Sequence, residues 1–373
     1  MTPPGTIPAS TRAAVLRAHG EPLVIEELPL PGECAPGSAV VEVTCATLCA
    51  TDVHLWSGAM SFPGMLPLVL GHEMAGRVVA HGEDTRDALG RPIKVGDRIG
   101  WSESTCGHCH GCTVLREPVA CANRGYGFTQ RADAWPYATG GLAEHAYVAA
   151  TSQKLLLPDD VADTWAAASG CAVKTVVHAF ERAGGLRPGA NVVIQGAGGL
   201  GLVATALATA AGAGVVITVG APAARLDLAT RFGADVTIGL SGEPADRVAE
   251  VMAATDGRGA DLVLDMAGAP GVAAEAVDMA AWGGKYVVVG TTGPRPDPVP
   301  LGTVMGKQLA VLGSLNGDIA DYHRAIEFLR EFRSFFAWDE LFSEPVGLAG
   351  ASDALAAMSR LEQVKAVVQP GLS

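Results

Sequence analysis

Sixteen residues of this chain, 106–121, hold four cysteines in the spacing Cys106-x2-Cys109-x2-Cys112-x8-Cys121. Thiolates this dense can close a tetrahedral zinc site, with no position left for a substrate. Such a site pins a loop that has little apolar core. A zinc-ribbon module for nucleic acid would need a second knuckle and basic flanks, and the sequence has neither. A second set is dispersed: Cys49, then Gly71-His72-Glu73, then Cys171. A lone Cys or His most often serves packing. Together these supply two thiolates and an imidazole, a ligand set that leaves the fourth position of a zinc to water or substrate. An open zinc lowers the pKa of an alcohol, and hydride leaves readily from an alkoxide. The run Cys49-Ala50-Thr51-Asp52-Val53-His54 adds the remaining machinery. Thr51 is placed to hydrogen-bond the alcohol. His54, unless it is only a surface loop histidine, can carry the proton to solvent. Asp52 can orient a ligating histidine.

A hydride needs an acceptor, and a second motif offers one. Strand-like NVVIQ at 191–195 runs into Gly196-Ala197-Gly198-Gly199-Leu200-Gly201 and then into a helical stretch. In that context Gly196 makes the tight turn, Gly198 lets backbone approach a pyrophosphate, and Gly201 permits close helix packing. The alternative is a tight turn with no ligand. The helix start presents free N–H groups to phosphate. The second strand should end on an acid that binds the adenosine ribose diol. Here it ends on Gly220, with Arg225 close enough to meet a ribose or a phosphate unless it is a solvated helix residue. Both NAD and NADP stay open. Val289, at the end of the strand-like run 285–289, joins the expected cofactor-binding residues.

The elements that must position these residues come in two styles. Up to about residue 170, short β-rich runs (39–46, 75–82, 143–150) are divided by Gly/Pro loops, as in an antiparallel barrel-like domain. From about 172 to 315, apolar runs at 191–195, 215–219, 261–265 and 285–289 alternate with helix-like stretches such as 200–212 and 223–233. That is a doubly wound parallel α/β sheet. A helical tail from 321 and a strand-like VKAVVQP then return to the first domain. The chain of 373 residues is 49% hydrophobic and 17% charged, enough for two cores. A net charge of −13 argues against nucleic acid. No apolar run approaches a membrane span, and the N-terminus lacks a signal pattern, so a cytoplasmic protein with free thiols is expected.

These markers together (CATDVH, GHE, the four-cysteine loop, Cys171-Ala-Val-Lys-Thr175 and GAGGLG) resemble the zinc-containing medium-chain alcohol dehydrogenases, from Ala13 to about Pro370. The resemblance implies a GroES-like β-rich catalytic domain, 1–172 and 316–373, around a Rossmann domain, 173–315. It implies two zincs per chain, one catalytic on Cys49, His72 and Cys171 and one structural on Cys106, Cys109, Cys112 and Cys121. It makes Glu73 an acid that approaches the catalytic metal, Asp52 the partner of His72, and Thr51 with His54 a proton relay that runs by way of the cofactor ribose. Thr175 would pack on the nicotinamide and Lys365 would lie near the pyrophosphate. The implied activity is reversible oxidation of an alcohol to an aldehyde or ketone by hydride transfer to NAD(P)+, in a dimer or tetramer. Two departures stand out: Cys121 comes one residue later than is usual in the family, and Gly220 replaces the acid. Rival readings are a zinc-independent enone or quinone reductase and a non-catalytic dinucleotide sensor. For the substrate, Trp56, Trp101, Phe128, Trp135 and Leu315 are candidate pocket residues and suit a bulky or cyclic alcohol.

Overall fold

The run Ala39–Thr47 is buried along almost its whole length, too apolar for a strand with one wet face, and it becomes the centre of a sheet. In the computed structural model, residues 5–290 and 297–372 are described, apart from the side chain of Phe128. Two compact units emerge. One comprises 1–171, 317–330 and 342–373; the other comprises 172–316 and 331–341.

In the first unit, Ala39–Thr47 pairs antiparallel with Glu73–His81, with His145–Val148 and with the returning tail strand Val367–Val368. Arg98–Ser104 and Ser152–Leu156 extend the sheet beyond Glu73–His81. A smaller sheet runs Val24–Pro29, Ser10–Leu16, Leu68–Val69. Leu16, Leu48, Leu55, Leu70 and Ile99 are fully buried in this unit, each contributing roughly 1.5–3 kcal/mol by leaving water. The register decides the site. Thr47 lies opposite Glu73 and Val367 lies opposite Thr47, so Cys49, His72 and Lys365 emerge from three adjacent strand ends.

The second unit is a six-stranded parallel sheet. Its order is Val236–Gly239, Val215–Gly220, Asn191–Gln195, Ala260–Asp265, Ala280–Val288, Ala310–Gly313. Every residue of Asn191–Gln195 is buried. The strand order reverses beside this strand, which places the following glycine loop at the switch point where α/β sheets bind ligands. The outer strands Val236–Gly239 and Ala310–Gly313, four residues each, were not singled out in the sequence. Segment 331–341, grouped with the first domain from sequence, packs here with the second unit. Phe336 stacks on Phe232 at 6.0 Å and Trp338 meets the same ring edge-on at 5.3 Å. Among the described residues no helix is long and apolar enough to cross a membrane.

Candidate metal centres and dinucleotide site

Cys49 is the N-cap of helix Ala50–Ser57, and its Sγ accepts a hydrogen bond from Thr51 N at 3.3 Å. The helix sorts the CATDVH run by its period. Asp52 and Leu55 face the core, while Thr51 and His54, also three residues apart, share a half-buried face. Asp52 is fully buried and joins three segments. Its Oδ2 accepts from Cys49 N (3.0 Å) and its Oδ1 from Gly71 N (3.0 Å), while Oδ1 also lies 3.3 Å from His72 Nδ1. Gly71 holds φ +87°, and a Cβ there would press on the Gly141 backbone at 3.1 Å. Glycine at 71 therefore lets the chain turn His72 inward.

With Nδ1 turned to Asp52, His72 presents Nε2 to Cys49 Sγ at 3.3 Å. Cys171 arrives from elsewhere in the sequence on the single π-helical turn Ser169–Val173, a distortion frequent at functional sites. The ligand atoms of Cys49, His72, Glu73 and Cys171 all lie within 4.8 Å of one another. A hydrogen bond shared with Cys171 holds the Cys49 thiol well below its ordinary value, against desolvation and with help from His72. The same sharing pushes Cys171 up. Desolvation pulls His72 down, but Asp52 and the two sulfurs outweigh it and the net shift is upward. Anionic sulfur beside an oriented imidazole is the donor set of a soft-to-borderline cation such as zinc.

Glu73 is fully buried and takes hydrogen bonds from Thr47 Oγ1 and from Lys365 Nζ, the latter 2.9 Å from Oε1. Burial raises its carboxyl, with Lys365 opposing. Burial lowers Lys365, but Glu73 more than compensates and the ammonium is held up. The contact at 2.7–2.9 Å is an ion pair on geometry. Lys365, expected near the pyrophosphate, is 2% exposed, and its ammonium pairs with Glu73. Thr47 was missed from the sequence. Its only signal there is a hydroxyl at the end of a largely apolar strand.

The other four cysteines form a separate nest. Cys109 and Cys112 Sγ stand 3.6 Å apart, as do Cys106 and Cys121 Sγ, and all four sulfurs lie within 4.8 Å of one another. Zn–S bonds of about 2.3 Å in a tetrahedron put sulfurs about 3.8 Å apart, so the nest fits such an ion. A short 3-10 turn, Pro118–Ala120, leads directly into Cys121. A hydrogen bond with Asn123 lowers Cys106 to about 5, the Cys112 amide lowers Cys109, and desolvation pushes Cys112 up to about 11. All eight cysteines are free.

In the second unit, Gly196 has φ +116°, and a Cβ on Gly201 would lie 1.7 Å from Gly196 O. Only glycine allows helix Gly199–Ala210, which opens with Gly199-Leu200-Gly201, to start so close to the strand. Its N-cap Gly198 offers no side-chain cap, so first-turn amides are available to an anion. Gly220 ends its strand and Arg225 follows in the first turn of Ala223–Arg231. Val289 N donates to Asp265 O at 3.0 Å at the strand-end edge of the sheet, and Thr175 is 6% exposed. The candidate pocket residues scatter. Trp101 is buried, Trp56 donates to Glu21 O, Trp135 leans on Tyr147, and Leu315 is exposed. The side chain of Phe128 lies outside the described residues.

A β-rich unit carrying two clusters of cysteine and histidine, with a parallel sheet carrying a glycine loop at its switch point, defines the class of zinc-type dehydrogenases. Two family models match: an alcohol dehydrogenase GroES-like domain over residues 35–159 and a zinc-binding dehydrogenase over 199–331. The chain is 32% identical to 5-exo-hydroxycamphor dehydrogenase of Pseudomonas putida, covering 91% of this chain and 93% of that protein. It is 33% identical to geraniol dehydrogenase of Castellaniella defragrans, covering 86% and 89%. The crystal structure of an alcohol dehydrogenase from Thermotoga maritima superposes with TM-score 0.89 at 31% identity, covering 96% of this chain and 99% of that one. The chain belongs to the zinc-type alcohol dehydrogenase family of medium-chain dehydrogenases/reductases, and is an NAD(P)-dependent oxidoreductase of that family.

Proposed function

We propose that this protein is a zinc-dependent alcohol dehydrogenase interconverting a bulky, largely apolar alcohol and its carbonyl compound. One observation carries the reading: Cys49, His72 and Cys171, from three separated segments, bring their ligand atoms within 4.8 Å of one another around an oriented imidazole. When bound there, zinc would polarise the alcohol oxygen and lower its pKa, and the nicotinamide would accept the hydride. Asp52 fixes the ring of His72 and the amides of Cys49 and Gly71, so the donor set is held in place before any ligand arrives. Lys365 and Thr47 hold the Glu73 carboxylate beside it. Thr51 Oγ1 accepts the alcohol proton as it passes its own hydroxyl proton onward, and His54, on the same helix face, takes up the relayed proton and hands it to solvent. Gly196, Gly198, Gly199, Leu200 and Gly201 receive the pyrophosphate on backbone amides. Thr175 and Val289 border the nicotinamide end. Cys106, Cys109, Cys112 and Cys121 hold a second zinc that braces their loop. The two terpenoid-alcohol relatives favour a bulky substrate.

The protein assembles through the outer strand Ala310–Gly313. Among the described residues that edge is unpaired, and Val311 on it is exposed, as are Leu301 (74%) and Met305 (77%) on the preceding helix Leu301–Gly306. A cytoplasmic location fits the free thiols. Metal counting by native mass spectrometry tests the central assignment. The wild type should carry two zincs per chain, and Cys49→Ser should carry one and lose nearly all turnover. Full turnover with one zinc would sink it.

A further inference from the structure

The carboxyl ends of Val215–Gly220 and Val236–Gly239 lie side by side in register, and both strands end on glycine, Gly220 opposite Gly239. No side chain leaves the sheet edge where such strands present an acid to the adenosine ribose diol. Position 220 is moreover closed to one. A Cβ there would stand 2.7 Å from Ala197 Cβ and 2.8 Å from Ala197 N, inside the glycine loop itself. The polar side chain serving this corner is Arg225. It rises from the first turn of helix Ala223–Arg231, and its Nη1 reaches within 4.0 Å of the point where a Cβ on Gly198 would sit. That helix begins with neither an acidic residue in its first turn nor a side-chain cap, so its dipole is not cancelled.

A dinucleotide with its pyrophosphate on the glycine loop brings its adenosine ribose to this corner. A free diol finds no carboxylate here, whereas a 2′-phosphate, carrying close to two negative charges, finds a cation and a helix N-terminus. Burial lowers the Arg225 guanidinium, but arginine stays charged at any working pH. Resting on the dinucleotide reading above, we infer that Arg225, with position 220 closed to an acid, makes this chain selective for NADP(H) over NAD(H).

Isothermal titration with nucleotide fragments tests this without turnover. Zinc-replete protein should bind 2′,5′-ADP about ten- to a hundredfold more tightly than 5′-AMP, the worth of one or two charge-assisted hydrogen bonds. Arg225→Gln should abolish that preference, weakening 2′,5′-ADP about ten- to a hundredfold and 5′-AMP by much less. Equal affinities in the wild type, or a preference that survives Arg225→Gln, would overturn the inference and leave the dinucleotide reading standing. If neither fragment bound, nor NADPH nor NADH, both readings would fall together.

Discussion

At the scale of single residues, the chemistry rests on Asp52 as much as on the ligands it supports. Its two oxygens serve Cys49 N, Gly71 N and His72 Nδ1. Asp52→Asn keeps the shape but sets an amide N–H2 against one of those donors, and it removes the charge that favours the oriented imidazole. Zinc affinity at the Cys49 cluster, read by competition with a chromogenic chelator, should fall about 10–100-fold. The four-cysteine zinc should be untouched. Unchanged affinity would mean that His72 is oriented by something else. The types and short spacings of these residues were legible in the sequence: CATDVH, Gly71-His72-Glu73 and the four-cysteine run contain most of the set, with Cys171 standing apart. The pairing of Lys365 with Glu73 was not. It joins positions 292 apart, and only the register of Val367 with Thr47 and of Thr47 with Glu73 brings them together.

At the scale of elements, the strand ends and tight turns hold the site, and their glycines can be tested. Gly220 is closed by Ala197, so Gly220→Asp should not install a preference for NAD. It should displace the Gly196–Gly201 loop and weaken both 5′-AMP and 2′,5′-ADP. Tighter 5′-AMP binding by that variant, measured in the same titration, would show that the loop yields easily. The central strands were readable because burial on both faces leaves a continuous apolar run, as in Asn191–Gln195. Val236–Gly239 and Ala310–Gly313 were not, because four residues at a sheet margin carry too little apolar pattern. The π-helical turn under Cys171 leaves no periodicity to read either.

At the scale of the whole molecule, two units with separate cores are assembled from a chain that leaves the first and returns to it. That plan was legible as a change of style near residue 170. The allegiance of 331–341 was not, because it depends on Phe336 and Trp338 finding Phe232 about a hundred residues earlier. If the exposed edge at Ala310–Gly313 joins two copies, Leu301→Glu with Met305→Glu should shift the mass in light scattering from oligomer toward monomer. No change would place the interface elsewhere. The central claim, zinc-dependent hydride exchange with an alcohol, is tested most directly by nicotinamide absorbance. Two-zinc protein would be mixed with NADP+ or NAD+ and a panel of linear, aromatic, cyclic and terpenoid alcohols. Reduction of the nicotinamide by a bulky alcohol, lost when the Cys49-cluster zinc alone is removed, is the predicted result. Turnover that persists without that zinc, or reduction of an enone or quinone in place of any alcohol oxidation, would contradict it.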